Sequence, residues 1–288
     1  MAPPANNADT VLRKGADFLK RKGVEHPRIV CELLLSRLLN RPRLSLHQIG
    51  DQKVAEPHLE AMRRGLRRVA AGEPVQYVLG RTEFMGHVFQ VDKRALIPRP
   101  ETEVLVRTVL DCAALWDRPS PSVVDLGVGS GCILISLALA RPAARYLGLD
   151  ISEEAVLLAK ANSRALGVAD RVALLTADMA DVLDPGTVDL LVSNPPYIPT
   201  PVCERLPIHI RDHEPRLALD GGPDGLQVVA QVAEDATIVL KPGGRLFLEI
   251  GDDQAERVRT LLTDLGFGAV TVTRDLADRD RVVAAQWG

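Results

Sequence analysis

Cysteine is scarce in this 288-residue chain: the four residues Cys31, Cys112, Cys132 and Cys203 are widely scattered and none forms a Cys-x-x-Cys pair. That spacing excludes a disulfide framework and a zinc knuckle, and leaves four reduced thiols. Long apolar runs are missing too. No stretch approaches the roughly eighteen consecutive apolar residues that span a membrane, and the opening MAPPANNADT lacks the apolar core of a secretory leader. Internal repeats and low-complexity tracts are absent as well. These absences point to the cytoplasm. What is present, 46% hydrophobic and 25% charged residues, suffices for one large or two modest globular domains.

The formal net charge of −3 is unevenly spread. Residues 1–80 carry 14 Lys/Arg against 8 Asp/Glu, and the remainder 21 against 30, so a front portion near +6 precedes a body near −9. An acidic body argues against general nucleic-acid binding, whereas the basic front is able to meet an acidic partner. Within the front, MRRGLRR sets Arg63 beside Arg67 and Arg64 beside Arg68 at i, i+4 on one helical face. A solvated surface would look the same.

From Asp9 to about Ala71 the apolar residues recur at helical spacing, with Val30, Leu33, Leu34 and Leu38 as an example, which predicts a small helical bundle over residues 1–80. Residues 81–100 cluster aromatic and β-branched residues around glycine, the pattern of a short hairpin linker. Helix resumes at Pro100, suited to a first helical position, with Glu101 and Glu103 complementing the helix dipole. From Ser122 strands and helices alternate: VVDLG, a helix from Cys132, RYLGLD, a helix from Ser152, RVALLTAD, VDLLVSN, a helix around Leu226–Leu240, GRLFLEIG, and a helix from Gln254. GAVTVTR and DRVVAAQ close the chain as an antiparallel pair. The class is α/β, with residues 101–288 forming a sheet covered by helices on both faces.

Two stretches fall where ligands of such sheets bind, outside the carboxyl ends of the strands. In VVDLGVGSGC a strand runs into Gly127, Gly129 and Gly131, which let the backbone turn sharply and approach a ligand closely. The spacing Gly-x-Gly-x-Gly lacks one residue of the dinucleotide fingerprint, and taken alone it also suits a tight packing turn. The second strand ends on Asp150, placed to accept both hydroxyls of a ribose. The third ends on Asp178, placed to accept from an adenine amine with Met179 against the ring. Together these favour an adenosine ligand.

The other stretch is SNPPY. Proline disfavours the α region in the residue before it, so Pro195 keeps Asn194 extended and Pro196 keeps Pro195 extended. Two N–H donors are lost in succession, and the Asn194 side-chain oxygen and the Pro195 carbonyl form a stiff acceptor pair for the two hydrogens of a substrate NH₂. Tyr197 packs against the group that carries the amine. An amide nitrogen is a poor nucleophile and no His or Lys is spaced as a base. Alignment then has to supply much of the rate, and effective molarities in aligned systems are worth roughly 7–11 kcal/mol. The expected reaction is methylation of a planar NH₂ nitrogen by S-adenosylmethionine.

Asn194-Pro195-Pro196-Tyr197 resembles the signature of amide and amine N-methyltransferases of class I, the S-adenosylmethionine-dependent fold with a Rossmann-like seven-stranded sheet. Glu73–Val91 (EPVQYVLGRTEFMGHVFQV), Leu96–Glu103 (LIPRPETE) and His213–Leu226 (HEPRLALDGGPDGL) narrow it. With them the chain, from about Leu12 to its end, is similar to the protein-(glutamine-N5) methyltransferases of class I peptide-chain release factors. The resemblance implies a seven-stranded catalytic domain behind a helical domain that grips the release factor. The implied substrate is the glutamine of a Gly-Gly-Gln tip. It further implies that Gly127, Val128, Gly129, Ser130, Gly131, Asp150, Asp178, Met179 and Asn194 hold the cofactor, and that Asn194, Pro195, Pro196 and Tyr197 hold the glutamine. Val128 stands where the family commonly has threonine, and Met179 where a larger stacking residue is frequent. Ribosomal-protein glutamine methyltransferases are the near alternative, from which IPRPETE separates this chain by resemblance alone.

Base methylation of nucleic acid is a second class, and it needs a positive phosphate channel that a body near −9 lacks. A non-catalytic binding module that kept the sheet is a third. His209 and His213, at i, i+4 beside Asp212 and Glu214, have the spacing of metal ligands, but no third ligand is apparent and Pro215 interrupts a long helix there. A polar loop is the expectation.

Overall fold

The computed structural model describes residues 6–288, which divide into two compact units. The first runs to Gly80 and takes in Ile208–His213; the second comprises Arg81–Pro207 and Glu214–Gly288.

The first unit is built on α1 (Ala8–Arg21), α2 (Pro27–Leu39), α3 (Glu56–Ala70) and α4 (Val75–Leu79). Asn7 opens α1 by accepting the Thr10 N–H at 2.9 Å, satisfying one donor that the first turn leaves free. Leu12, Leu19, Cys31, Leu35 and Met62 form the centre of its core. On α2 the buried residues are Val30, Cys31, Leu34 and Leu35 rather than the expected Val30, Leu33, Leu34 and Leu38. Leu38 is half-buried against the cluster, while Leu33, also half-buried, is not among the residues that pack on it. All four arginines of the basic stretch are exposed, and two are paired, Arg63 with Glu56 at 2.8 Å and Arg68 with Glu73 at 2.5 Å.

The second unit opens with the antiparallel hairpin β1 (Arg81–Phe84) and β2 (His87–Gln90), where Phe84 and Phe89 meet edge to face. The next helix, α5 (Thr102–Leu110), begins two residues beyond Pro100; Pro100 and Glu101 form a turn that leads into it. A four-residue turn, α6 (Ala113–Trp116), leads to the sheet.

That sheet has seven strands: β3 (Ser122–Leu126), β4 (Arg145–Asp150), β5 (Val172–Thr176), β6 (Val188–Ser193), β7 (Leu240–Glu249), β8 (Gly268–Arg274) and β9 (Asp280–Gln286). Their spatial order is β5-β4-β3-β6-β7-β9-β8, parallel from β5 through β7 and antiparallel at β9 and β8. Between them run α7 (Cys132–Ala140), α8 (Glu153–Ala165), α9 (Thr200–Cys203), α10 (Ile208–Arg211), α11 (Gln227–Val239) and α12 (Ala255–Asp264). Two apolar layers form, one around Leu134, Val106 and Phe89, the other around Leu191, Ala233 and Val258. Parallel strands covered on both faces read as continuous apolar runs, and β6 is buried along its whole length.

The order reverses between β3 and β6: from β3 the chain proceeds outward through β4 and β5, then returns to β6 on the other side. Such a reversal leaves a crevice at the carboxyl ends of the two strands. At the opposite end, Asp189 accepts from Arg118 at 2.6 Å, Lys241 at 2.7 Å and the Ser122 backbone at 2.9 Å, clamping β6 to its neighbours. Among the described residues no helix is long and apolar enough to cross a membrane.

Candidate active site

The crevice is a cavity of about 330 Å³ within the second unit. Gly127, Val128, Gly129 and Ser130 line it from the turn after β3, Asp150 from the end of β4, Asp178 and Met179 from beyond β5, and Asn194, Pro195 and Pro196 from the exit of β6. The structure thus brings together residues up to 69 positions apart, from Gly127 to Pro196, on one rim.

The turn owes its shape to glycine at two places. Gly131 has φ +82, and a Cβ there would meet Ile135 at 2.7 Å and Ala159 at 3.2 Å, so this glycine seats α7 against α8 and does not line the cavity. Gly127 has φ +75 with nothing within 4 Å of its Cβ position; it keeps backbone bare toward open space. Val128 contributes its backbone, since its side chain is buried in the core beneath the turn, near Gly148.

Asp150 braces this turn. Its Oδ2 accepts the Gly129 N–H at 2.8 Å and its Oδ1 accepts the Ser152 N–H at 2.9 Å. Burial pushes the Asp150 pKa up, and those two N–H groups pull it back. Each oxygen keeps a further lone pair for a ligand hydroxyl. Asp178 lies two residues beyond the end of β5 and is exposed; Met179 adopts φ +49 and is half-buried against the second core layer.

These residues fit an adenosyl group carrying a sulfonium and an amino acid. The cavity surface is mainly apolar, Gly127 leaves open space, and the Ser130 hydroxyl is buried at the rim without a hydrogen-bond partner.

At the exit of β6 the asparagine side chain is turned by a single bond: Asn194 Nδ2 donates to Thr102 Oγ1 at 3.2 Å. Among the described residues nothing donates to Asn194 Oδ1 or to the carbonyl of buried Pro195. The loop is held from behind. Ile198 bridges Asp220, the Thr200 hydroxyl donates to Asp220 at 2.6 Å, and Gln254 Nε2 donates to the Tyr197 carbonyl at 3.0 Å. Gly221 lets the returning chain close on this loop, because a Cβ there would lie 2.6 Å from the Pro196 carbonyl.

Tyr197 is not on the cavity wall. Its ring packs on the second core layer and its hydroxyl donates to Glu249 Oε1 at 3.2 Å. Burial, and next the charge of Glu249, push its pKa up, so it stays protonated. The structure therefore sets Asn194 and Pro195 on the cavity wall and Tyr197 behind them.

Two buried acids close to the site, Glu249 and Asp125, were not singled out from sequence. Glu249, 1% exposed, ends β7 just as Asp150 ends β4. Burial pushes its pKa up to about 7, against the opposing pull of the Thr102 hydroxyl, Arg281 and Tyr197. Asp125, wholly buried with both oxygens unpartnered, is raised well above the usual carboxylate range by burial and then by Asp150. The rule that located Asp150, an acid at a strand's carboxyl end, would have located Glu249, whereas Asp125 lies one residue inside the end of β3. Glu214 accepts the Ile97 N–H at 3.1 Å and pairs with Arg99, which fixes the wall formed by Leu96–Arg99. Committed in this way, Glu214 is not presented to a cation. Among the described residues no three His, Cys, Asp or Glu side chains are grouped to hold a metal.

Residues 10–80 match the PrmC N-terminal domain, and residues 101–202 the Methyltransferase small domain. A Release factor glutamine methyltransferase from Caulobacter vibrioides is 42% identical over 267 residues, covering 93% of this chain and 92% of that protein. One from Rhodopirellula baltica is 38% identical and covers 99% of both. One from Moorella thermoacetica is 43% identical, covering 91% and 92%. Among solved structures, a methyltransferase from Pyrococcus furiosus superposes with TM-score 0.55 at 16% identity, covering 77% of this chain and 97% of that one. The hMettl16 catalytic domain superposes with TM-score 0.55 at 14% identity, covering 81% and 82%. At those identities the two structures speak for the fold.

Proposed function

The chain belongs to the release factor glutamine methyltransferase family, and we propose that its β3/β6 crevice carries out methyl transfer to the N5 amide nitrogen of the glutamine in a Gly-Gly-Gln tip of class I release factors. The observation that carries this assignment of the site is the pair of acceptors without a donor among the described residues, Asn194 Oδ1 and the Pro195 carbonyl, on consecutive residues of a loop held from behind.

When bound, S-adenosylmethionine supplies a methyl carbon on a sulfonium, which becomes bonded to the glutamine nitrogen as the thioether leaves. Asp150 would hold the ribose hydroxyls, and Asp178 and Met179 the adenine. The backbone of Gly127–Gly129 with the Ser130 hydroxyl would hold the rest. Asn194 Oδ1 and the Pro195 carbonyl accept the two hydrogens of the glutamine NH₂, which fixes its rotation and presents one face of the nitrogen. The same two dipoles attract the positive charge that grows on nitrogen as its new bond forms. Their preorganisation is structural, since Pro195 and Pro196 permit little backbone movement. The proton leaves nitrogen after transfer, once alkylation has made it acidic.

The body from residue 81 onward carries 21 basic against 30 acidic residues, which favours a protein segment over nucleic acid as the substrate. A cytoplasmic location agrees with four unpaired cysteines.

The test is transfer of label from S-adenosylmethionine to a class I release factor, intact and with its tip glutamine replaced. Labelling is expected for the intact factor alone. Equal labelling of both, or preferential labelling of duplex DNA or ribosomal RNA, would overturn the proposed target.

A further inference from the structure

An asparagine amide carries an acceptor and a donor of nearly equal size, and a half-turn of its end group exchanges them. For Asn194 the difference is decisive, because only Oδ1 can accept a substrate N–H, while Nδ2 in its place would repel the glutamine hydrogens. Something must therefore select one of the two orientations.

The selecting bond is Asn194 Nδ2 to Thr102 Oγ1, 3.2 Å. A threonine hydroxyl is itself ambivalent: it has two lone pairs and one proton, and it accepts from Nδ2 while that proton points elsewhere. Glu249 is near enough for the Thr102 hydroxyl to draw its carboxyl pKa down, although no hydrogen bond of ordinary length joins the two. Glu249 Oε1 already takes the Tyr197 proton at 3.2 Å; its Oε2 is buried with no hydrogen-bond partner. The neighbouring guanidinium does not fill that place, since Arg281 is spent on the Ile250 carbonyl at 2.8 Å and on Asp275 at 3.3–3.4 Å.

We propose that Thr102 and Glu249 are positioning residues that hold the Asn194 amide with its oxygen toward the substrate. The ionised Glu249 draws the Thr102 proton inward, the Thr102 lone pairs face Asn194 Nδ2, and Oδ1 is left pointing at the glutamine. The order is a chain of donors, Nδ2 to Oγ1 to carboxylate, that reads in one direction only. The inference rests on the reading of Asn194 given above.

Protonation of Glu249 removes the reason for that direction. The carboxyl then keeps a proton of its own, the Thr102 hydroxyl is free to donate outward, and the opposite orientation of Asn194 gains ground. The groups that face Glu249 are Thr102 and Glu101 at the start of α5, Tyr197 after β6, Arg281 on β9 and Cys132 at the start of α7. Burial holds the Cys132 thiol near 12 and Tyr197 higher still, so neither titrates with Glu249, whose own pKa is about 7. Turnover should accordingly rise with pH through neutrality.

The experiment compares Thr102→Val, Thr102→Ser and Glu249→Gln with the unaltered protein, measuring kcat and KM for a release factor across neutral pH. Cofactor affinity by calorimetry, thermal melting, and exchange of the Asn194 side-chain amide protons by NMR complete the set. A small misplacement of a reacting group costs up to about 100-fold. Thr102→Val should accordingly lose roughly 10- to 100-fold in kcat with cofactor affinity retained, and Thr102→Ser should recover most of it. Glu249→Gln should lose the rise of kcat with pH. Protection of the Asn194 amide protons should fall in Thr102→Val. A Thr102→Val enzyme with full turnover, a pH rise that survives in Glu249→Gln, or a flat profile in the unaltered protein would overturn the inference. If Asn194→Ala also leaves transfer intact, the reading of the site fails; if Asn194→Ala abolishes transfer and Thr102→Val does not, only the positioning role fails.

Discussion

Gly129 and Asp150 are joined by a hydrogen bond of 2.8 Å from the glycine N–H to Oδ2, so the turn after β3 and the end of β4 are one rigid corner. A side chain that braces its own binding loop has two effects when removed, the loss of its ligand bonds and the loosening of the loop. Hydrogen bonds to a charged group contribute about 1.5–3 kcal/mol. Asp150→Ala is expected to weaken S-adenosylmethionine binding by roughly 10- to 150-fold, with a smaller change in thermal stability. Calorimetric titration measures the first and a melting curve the second.

In the proposed role of Asn194, its replacement by alanine removes an acceptor for the substrate NH₂ while Pro195, Pro196 and the bonds behind the loop remain. Removing one preorganised partner of a developing charge costs about 10²–10³ in turnover, and a loss of at least that size is expected in single-turnover transfer to a release factor. Full activity would remove the central assignment.

The loop should also be open to damage from behind. Gly225 has φ +79, and a Cβ there would press on the Tyr197 carbonyl and sit 2.9 Å from Gln254 Nε2. Gly225→Ala is expected to cost about 1–3 kcal/mol in stability and to lower kcat, with cofactor affinity little changed because Asp150 and the glycine turn lie elsewhere on the rim. Denaturant melts and calorimetry separate the two.

Asp189, at the far end of β6, predicts behaviour in acid. Burial raises its pKa, but Lys241, the Ser122 backbone and Arg118 outweigh that and hold it well below the usual carboxylate range. A depressed pKa contributes stability that is fully present above the unfolded value near pH 3.9 and is lost as pH falls through the folded one. Asp189→Ala should lower stability at neutral pH by about 1–3 kcal/mol, and its deficit relative to the unaltered protein should shrink as the pH is taken below about 4. Melting temperatures measured against pH give the answer.

What could be read from sequence was local or lay at strand ends. The glycine turn, Asp150 and Asn194 each follow an apolar run directly, so the position of the strand placed them on the rim. The hairpin and the closing antiparallel pair were legible for the same reason. Thr102 and Asn194 are 92 residues apart, and no local pattern pairs them. Tyr197 followed Asn194 in the chain and was expected beside it at the substrate, but its bond to Glu249, 52 residues away, turns it inward. Ile208–His213 belong with the first unit although they interrupt the second in sequence; α10 spans only Ile208–Arg211, too short for periodicity to reveal where it packs.

That excursion has a practical meaning for how the protein comes apart. Ile208 lies against Gly72, where an added Cβ would be 2.9 Å from its Cγ2. The helical unit is thus completed by a segment made long after Gly80 has been synthesised, and a single cleavage after Gly80 does not yield it whole. A fragment ending there lacks the Ile208 and His213 side chains, and with them the cover over the turn that ends α3.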